Sequence, residues 1–473
     1  MMDFKPKGEG LVLSRKNILP IILYLVLVAG CTPAPILESD PGYGSTAGSI
    51  ATTIPASATI LVSTPELPAP TPEAILVQEA GPLIALTNQR LDGNRLAVGS
   101  GGMPAEPLDI HLLGKPLWVV GGPVQGGSVW VVTLESGQVQ AFQIEEKVVS
   151  ELKLNLSMLP PGMPPVLRVD GNRVELLSPL PDASTVTHPI WLEDGVQAYI
   201  DVHGQLRLIR GDDTYTLGVN ALPDARILSD EAGRLLLLST PTEGYPHGVL
   251  GDTLEATTIT LVDTNIDPYD IHEIQIDPND VIEGIAPIWV DLDSDGGREI
   301  IVTQSNADIG ARIVVYHEDG SLFASGEPIG QGFRWRHQLA VGQFIEGGSQ
   351  EIAVIRTPHI GGILEIYAAE GDRLEIEAVL GGYSSHQIGS RNLDSALAAD
   401  LNGDGRIEII APDQSQTALA GIQTMDDGLK VVWEAPIGGK LSTNLAAVPW
   451  SDGRLALGVG HESNILRIWL PSP

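Results

Sequence analysis

The sequence predicts an all-β protein made of repeated units of short strands, either a propeller or a similar array. Apolar strand-like segments, separated by polar turns that contain glycine, recur from residue 86 to residue 459. The intervals between successive second strands, 33 to 64 residues, are typical of such repeats. These second strands begin near Leu96, Val129, Val174, Leu235, Glu299, Glu351, Glu408 and Leu455. Further strand-like runs with hairpin turns, as in 311–323 and 362–376, supply about four strands per unit.

The amino terminus predicts export. Four basic residues within 5–16 precede a short apolar run, which ends in the sequence VAGC at 28–31. A basic region, an apolar core of about a dozen residues and small residues before a cleavage point describe a secretory signal. The run is too short to span a ~30 Å hydrocarbon core as a helix. VAGC resembles a bacterial lipobox, which implies a signal peptide over 1–30 and a lipidated Cys31 that binds the membrane.

A change of composition follows the cysteine. Residues 31–73 are rich in Pro, Thr, Ser, Ala and Gly, a composition that buries too little apolar surface to order itself. We interpret this stretch as a disordered tether. Residues 74–473 are then the folded domain, of a length that suits a single propeller.

Two segments carry the same acidic loop between two strand-like runs. In WVDLDSDGGREIIV, Asp291, Asp293, Asp295 and Glu299 occupy loop positions 1, 3, 5 and 9. In AADLNGDGRIEIIA, the residues at the same positions are Asp400, Asn402, Asp404 and Glu408. Calcium prefers six to eight oxygen ligands, and alternating short carboxylates around a turn supply them. The pattern predicts two calcium sites; the alternative is two hairpin turns that are merely acidic.

The residues around these acids refine the prediction. Gly296 and Gly405 follow the third ligand, where a sharp backbone turn disfavours a Cβ atom. The carbonyl groups of Gly297 and Arg406, at position 7, are the predicted main-chain ligands. An EF-hand would need an acid at position 12 followed by a helix, but position 12 is Val or Ala and the following run is β-branched.

The order strand, DxDxDGxxE loop, strand resembles the FG-GAP/VCBS repeats of integrin-α-like β-propellers. This resemblance implies a propeller of seven or eight four-stranded blades, with structural calcium ions within blades. A third copy at 341–356 aligns Glu351 with the two sharp loops but lacks their acids, which predicts a turn without a metal. Weaker copies are expected at 86–100, 117–132, 167–179, 227–239 and 447–459. A hairpin near 188–202 follows the 167–179 copy too closely for a separate blade of usual size.

The net charge limits the possible partners. Lys and Arg number 27 against 60 Asp and Glu, which leaves a formal charge of −33. A nucleic-acid partner is disfavoured, because phosphate binding requires a basic face. An acidic surface suits an extracellular setting, where calcium sites with dissociation constants of about 10⁻⁴–10⁻³ M still fill.

One cationic group is a candidate ligand site. The resemblance places segments before a blade's first strand near the central axis, where cations from two such segments could converge on an anion or a sugar acid. These residues are Arg334, Arg336, His337, His386 and Arg391. The alternative is that they balance neighbouring acids or pack locally. The HExxH, GxSxG, P-loop and GxGxxG motifs are absent from the sequence, so no catalytic residue is predicted.

Three functions remain open at this stage. The favoured one is a lipid-tethered binding module for an extracellular glycan or protein. The second is a calcium-dependent polysaccharide lyase or hydrolase that uses the cationic group, with a histidine as base. The third is a passive scaffold in an envelope complex. Fold alone does not decide among them.

Overall fold

A computed structural model describes residues 82–192, 195–266, 269–450 and 452–471. The signal peptide, Cys31 and the tether lie outside these residues. The described chain is all-β, and no helix in it is long and apolar enough to cross a membrane.

The strands alternate with short turns along the whole described chain. The first are β1 (Leu83–Ala85), β2 (Leu96–Ser100), β3 (Pro107–His111), β4 (Pro116–Val124), β5 (Gly127–Leu134), β6 (Val139–Glu145), β7 (Val148–Glu151), β8 (Leu167–Asp170) and β9 (Arg173–Leu176). Next come β10 (Ile190–Trp191), β11 (Gln197–Ile200), β12 (Leu206–Arg210), β13 (Asp213–Leu217), β14 (Leu228–Ser229), β15 (Leu235–Thr242), β16 (Glu255–Asp263), β17 (Asp270–Gln275), β18 (Val281–Ile282), β19 (Ile288–Val290), β20 (Glu299–Asn306), β21 (Gly310–His317) and β22 (Leu322–Gly326). The last are β23 (Arg336–Gly342), β24 (Glu351–Arg356), β25 (Ile363–Glu370), β26 (Arg373–Gly381), β27 (Leu397–Asp400), β28 (Glu408–Pro412), β29 (Ala418–Met425), β30 (Gly428–Pro436), β31 (Ala446–Pro449), β32 (Leu455–His461) and β33 (Ile465–Trp469).

Most strands form four-stranded antiparallel meanders, as expected for blades. The meanders are β4–β7, β10–β13, β14–β17, β19–β22, β23–β26 and β27–β30. The strand runs are β-branched and apolar on both faces, as in EIIVTQ of β20, because each sheet is covered by a neighbour on either side. Buried clusters join successive sheets, for example Ile313 and Val315 of one sheet with Val341 and Val354 of the next.

The ring closes by pairing the two ends of the domain. Strands β31, β32 and β33 near the carboxyl terminus form a sheet whose fourth strand is β3, with Asp109 opposite Arg467. Closing a sheet with a strand from the other end of the chain makes the whole domain one cooperative unit. The arrangement of these sheets is that of a β-propeller.

The predicted repeat at 86–100 is wrong. Strands β1 and β2 do not pair with each other: β1 pairs with β8, and β2 lies parallel to β27. The intervening residues instead run along the axis of the ring, and we call residues 87–95 the axial segment. This polar stretch with Gly93 lies between the apolar runs 83–86 and 96–98, which is also the pattern of a hairpin turn and explains the misassignment.

The expectation for the 188–202 hairpin is also wrong. Residues 190–217 form a complete meander, β10–β13. They can follow β9 closely because the preceding sheet draws only β8 and β9 from its own region and takes its third strand, β1, from the start of the domain. The other predicted hairpins, at 117–132, 167–179, 227–239 and 447–459, are confirmed.

Candidate functional sites

The axial segment is bonded to the first strands of several sheets. The carbonyl groups of Leu91 and Asp92 accept hydrogen bonds from the amides of Ser229 and Trp289, at 3.0 and 2.9 Å. The side chain of Asn94 both donates to and accepts from the backbone of Val341. One short segment can reach all these strands only if they surround a common axis. The axis is therefore filled by the chain itself.

A buried ion cluster holds the axial segment in place. Arg95 is 1% exposed and donates from Nε to the Asp394 carboxylate at 2.8 Å. Arg226 makes a two-point contact with the same carboxylate, at 2.9 and 2.6 Å. Burial alone would raise the pKa of Asp394, but the two guanidinium groups hold it well below its usual range.

The two predicted calcium loops have the same backbone conformation. Each joins the first strand of a blade to the second, β19 to β20 and β27 to β28. Gly296 and Gly405 have φ values of 93° and 85°, and loop position 4 is also left-handed, at Ser294 and Gly403. The predicted need for glycine at position 6 is confirmed, because a side chain there would be strained.

The first loop brings its acids together. Carboxylate oxygens of Asp291, Asp293 and Glu299 lie within 4.8 Å of one another. Asp295 is exposed at the tip, where its carboxylate accepts the amide of Gly297 at 2.7 Å. Carboxylate oxygens are the ligands that calcium prefers, so these three acids fit as part of the six to eight oxygens that the ion takes.

The second loop has an amide, Asn402, in place of the Asp293 carboxylate, and its acids make other contacts. Both carboxylate oxygens of Asp404 accept the Gln423 amide at 3.0 Å, and Asn402 donates to the same carboxylate. Asp400 accepts the backbone amides of Gly403 and Gly405. A calcium ion here would have to displace amide donors. Ligation by the carbonyl groups of Gly297 and Arg406 stays a prediction in both loops.

The glutamate at loop position 9 has a structural role that the sequence did not reveal. Glu299, Glu351 and Glu408 are each about 1% exposed or less, and each accepts the backbone amide seven residues earlier. Burial raises the pKa of all three, to about 7 for Glu408. Because the copy without acids keeps this contact, the glutamate stabilises the turn whether or not a metal is bound.

The predicted cationic group is only partly assembled. His337 and His386 lie together, with ring centroids 6.4 Å apart and Trp335 stacked on His337 at 4.8 Å. Both histidines are 1% exposed, and burial lowers their pKa values, to about 3 for His386. They are therefore neutral at pH 7. His359 extends the pair through a 2.8 Å contact with His386.

The three arginines of this group have separate environments. Arg336 is buried against Glu365 in its own sheet, at 3.3 Å. Arg391 bridges Asp224 and Asp252, at 2.8 and 2.5 Å. Arg334 is exposed, with its guanidinium 3.5 Å from the carbonyl group of Ile329. These contacts match the alternative in which the cations balance neighbouring acids, so the arrangement does not favour an anion site.

A cavity that sequence analysis missed lies at the end of the ring that carries the two acidic loops. It has a volume of about 680 Å³. Its walls come from the axial segment, from the β14–β15 turn and from the ends of β10 and β16, including Arg90, Asp92, Trp191, Glu231, Thr264 and Asn265. These pieces are distant in sequence and form no motif, so only the three-dimensional structure brings them together.

No protein-family model and no curated protein sequence matches the chain. Among solved structures, the chain is similar to the Cps50 (Swd1) β-propeller domain of Myceliophteria thermophila, with 12% identity and a TM-score of 0.39 over 78% of this chain and 100% of that one. It is also similar to streptogramin B lyase, with 12% identity and a TM-score of 0.34 over 77% and 97%. The third is BBS1N, solved in complex with ARL6DN, with 10% identity and a TM-score of 0.42 over 78% and 96%. At these scores the likenesses carry no argument about function.

Proposed function

We propose that this chain is a lipid-anchored, extracytoplasmic β-propeller of the FG-GAP/VCBS type that binds calcium and serves as a binding module for an extracellular glycan or protein. Residues 1–30 act as its signal peptide, Cys31 carries the lipid, residues 31–73 form the tether and residues 74–473 form the propeller. We count the three-stranded sheet as a blade, which makes eight, the larger of the two predicted numbers.

The filled axis is the observation that carries this proposal. Thr87, Asn94 and Arg95 of the axial segment are each no more than 2% exposed, so they occupy the place where an axial catalytic pocket would lie. The surfaces that remain are the turns at the two ends of the ring, which suit recognition. The enzyme alternative is weaker, because the histidines offered as bases are buried and the arginines offered to neutralise a sugar carboxylate are mostly paired with acids.

Calcium would be held by the two acidic loops. The chemistry of the first loop fits the ion best, with three acids close together and an exposed side toward solvent. The bound ion would supply positive charge that offsets the repulsion among these acids. By mass action it would stabilise the folded state by about 2.7 kcal/mol at a hundredfold excess over its dissociation constant.

A glycan array tests the binding function. The lipid-free chain, residues 74–473, would be applied with calcium and again with EDTA. We expect retention on at least one class of extracellular glycan, weakened by the chelator. If no glycan retains it, surface crosslinking on the native cell should yield a protein partner, and failure of both would contradict the proposal.

Membrane anchoring is tested separately. A Cys31→Ser substitution in the full chain should move the protein from the membrane fraction to the soluble fraction. An unchanged membrane fraction would contradict the lipid anchor without affecting the binding function.

A further inference from the structure

The cavity near the first calcium loop has the chemistry of a carbohydrate site. Its volume of about 680 Å³ lies within the range of roughly 300–1,000 Å³ that is usual for small-ligand sites. It opens at the end of the ring where first strands turn into second strands, the same end as the 291–299 loop. The histidine cluster lies at the opposite end, where the first strands begin.

The walls combine an aromatic side chain with polar groups. Trp191 is half-buried at the edge of the β10–β11 hairpin. Asn265, which also lines the cavity, donates from Nδ2 to the Ala232 carbonyl at 2.8 Å. Its Oδ1 oxygen is left to accept a hydrogen bond from a ligand. An aromatic face beside acceptors matches a sugar ring, which has an apolar C–H face and hydroxyl donors at its edge.

The walls offer an anion no unpaired cation. Asp92, Asp230 and Glu231 line the cavity, and Arg90 is the one basic side chain among the described residues that line it. Arg90 is already paired with Asp92 at 2.6 Å. Glu231 has a side chain that is 78% exposed; its Oε2 pairs with Arg298, so Oε1 is the oxygen that can accept ligand hydroxyls. A neutral sugar therefore fits these walls, and an acidic sugar does not.

The wall formed by the β14–β15 turn is rigid. Asp230 accepts the amides of Ala232 and Arg234, at 3.1 and 2.8 Å, and the Arg234 side chain at 2.6 Å. Arg234 in turn forms a two-point contact with Glu318, at 2.7 and 2.9 Å. A wall held in this way loses little conformational entropy when a ligand binds.

The cavity is also connected to the acidic loop. Arg298, one residue before Glu299, is paired with Glu231 and donates to the Trp289 carbonyl. Its guanidinium lies 4.0 Å from the Asp92 carboxylate and 5.7 Å from the Trp289 ring. A change in the conformation of loop 291–299 would therefore reposition the Glu231 side chain at the cavity edge.

We infer that this cavity binds a neutral sugar unit of an extracellular glycan, with Trp191 beneath the ring and with Asn265 and Glu231 accepting its hydroxyl groups. The inference rests on the proposed binding function and names the site and the class of ligand.

The test is calorimetric titration of the lipid-free chain with defined pentasaccharides. The neutral probes are cellopentaose, mannopentaose, xylopentaose and chitopentaose, and the charged comparator is the anionic pentagalacturonate. We expect at least one neutral probe to bind, and to bind more tightly than this comparator. Trp191→Ala should weaken that binding about tenfold, which is about 1.4 kcal/mol, and Trp191→Phe should restore most of it. Asn265→Ala should weaken it about threefold to tenfold, as loss of one or two hydrogen bonds would.

The control is Phe333→Ser, a substitution of a half-exposed side chain at the opposite end of the ring, which should leave sugar binding unchanged. Thermal melts of each variant separate loss of folding from loss of binding. Absence of binding by all four neutral probes, tighter binding of the charged comparator, or equal binding by wild type and both cavity variants would overturn the inference. The proposed function would survive any of these results if the array or the crosslinking experiment detects a partner.

Discussion

At the scale of single residues, the charges buried around the axis are the most sensitive feature of this protein. Asp394 is 2% exposed and is the common acceptor for Arg95 and Arg226. Removing one member of such a group leaves the others charged and without compensation in a medium that solvates them poorly. The cluster therefore depends on all three residues.

Replacement of Asp394 by Ala should destabilise the domain by about 3–5 kcal/mol, because two buried guanidinium groups lose their counter-charge. Chemical denaturation measures the change in the free energy of unfolding. The matched control is Asp452→Ala, which breaks a pair with Arg454 between half-exposed side chains and should cost less than about 1 kcal/mol. Equal effects of the two substitutions would contradict the role given to the axial cluster.

Glu255 predicts a pH dependence of stability. The side chain is 2% exposed, and burial with the nearby Glu283 raises its pKa from 4.5 to about 9. Asp224 and Asp252 add to the negative potential, while the amide of Gly284 donates to the carboxyl group. Between pH 4.5 and pH 9 the folded protein holds a proton that the unfolded chain has released. The contribution of Glu255 to the free energy of unfolding therefore falls as pH rises, by up to about 1.4 kcal/mol per pH unit.

A Glu255→Gln substitution removes this proton uptake. The variant should show a flatter decline of unfolding free energy across pH 5–9 than wild type, and it should be the more stable of the two at pH 8. Denaturant titrations at several pH values measure this, with the exposed Glu370→Gln as the control that keeps the wild-type slope. A slope unchanged in the Glu255 variant would show that this carboxyl group is not protonated in the folded protein.

At the scale of elements, the glutamate at loop position 9 stabilises the turn independently of any bound metal. Glu351 accepts the amides of both Phe344 and Ile345, at 2.8 and 3.2 Å, in a loop that lacks the other acids. The contact explains why the glutamate remains in a copy whose loop positions 1, 3 and 5 are Gln343, Ile345 and Gly347.

Glu351→Ala should therefore destabilise the domain by about 1–3 kcal/mol, since one buried and one partly buried amide lose their acceptor. The loss should be the same in calcium and in EDTA. Thermal or denaturant unfolding in both media gives the answer, and Gln343→Ala, a substitution of an exposed residue in the same loop, should have little effect. A loss that depends on calcium would mean that this loop binds the ion after all.

The sequence was sufficient to predict the elements whose signals are local. The acidic loops, their flanking strands and most of the hairpins are found where their turn residues and β-branched runs predicted them. Residues 86–95 were misassigned because a polar stretch between apolar runs has the same sequence pattern whether it forms a hairpin turn or runs along the axis. The cavity was missed because Trp191, Glu231 and Asn265 come together only through long-range packing.

At the scale of the whole molecule, the sheets of the domain are held together by contacts at the axis of the ring and by strand pairing between the two ends of the chain. The axial segment reaches the first strands of several sheets, and β3 completes the sheet of β31, β32 and β33. Residues near the amino and carboxyl ends of the folded domain thus close the ring and fill its centre. Recognition is left to the two ends of the ring, and the end that carries the acidic loops also carries the cavity.

Calcium stoichiometry is the measurement that tests this account most directly, because the proposed binding end of the ring depends on the acidic loops. Calorimetric titration of wild type should give two calcium ions per chain, the tighter at loop 291–299. Asp293→Ala and Asn402→Ala should each bind one ion fewer, whereas Gln343→Ala should bind two. Equal stoichiometry in wild type and in all three variants would contradict the assignment of both sites.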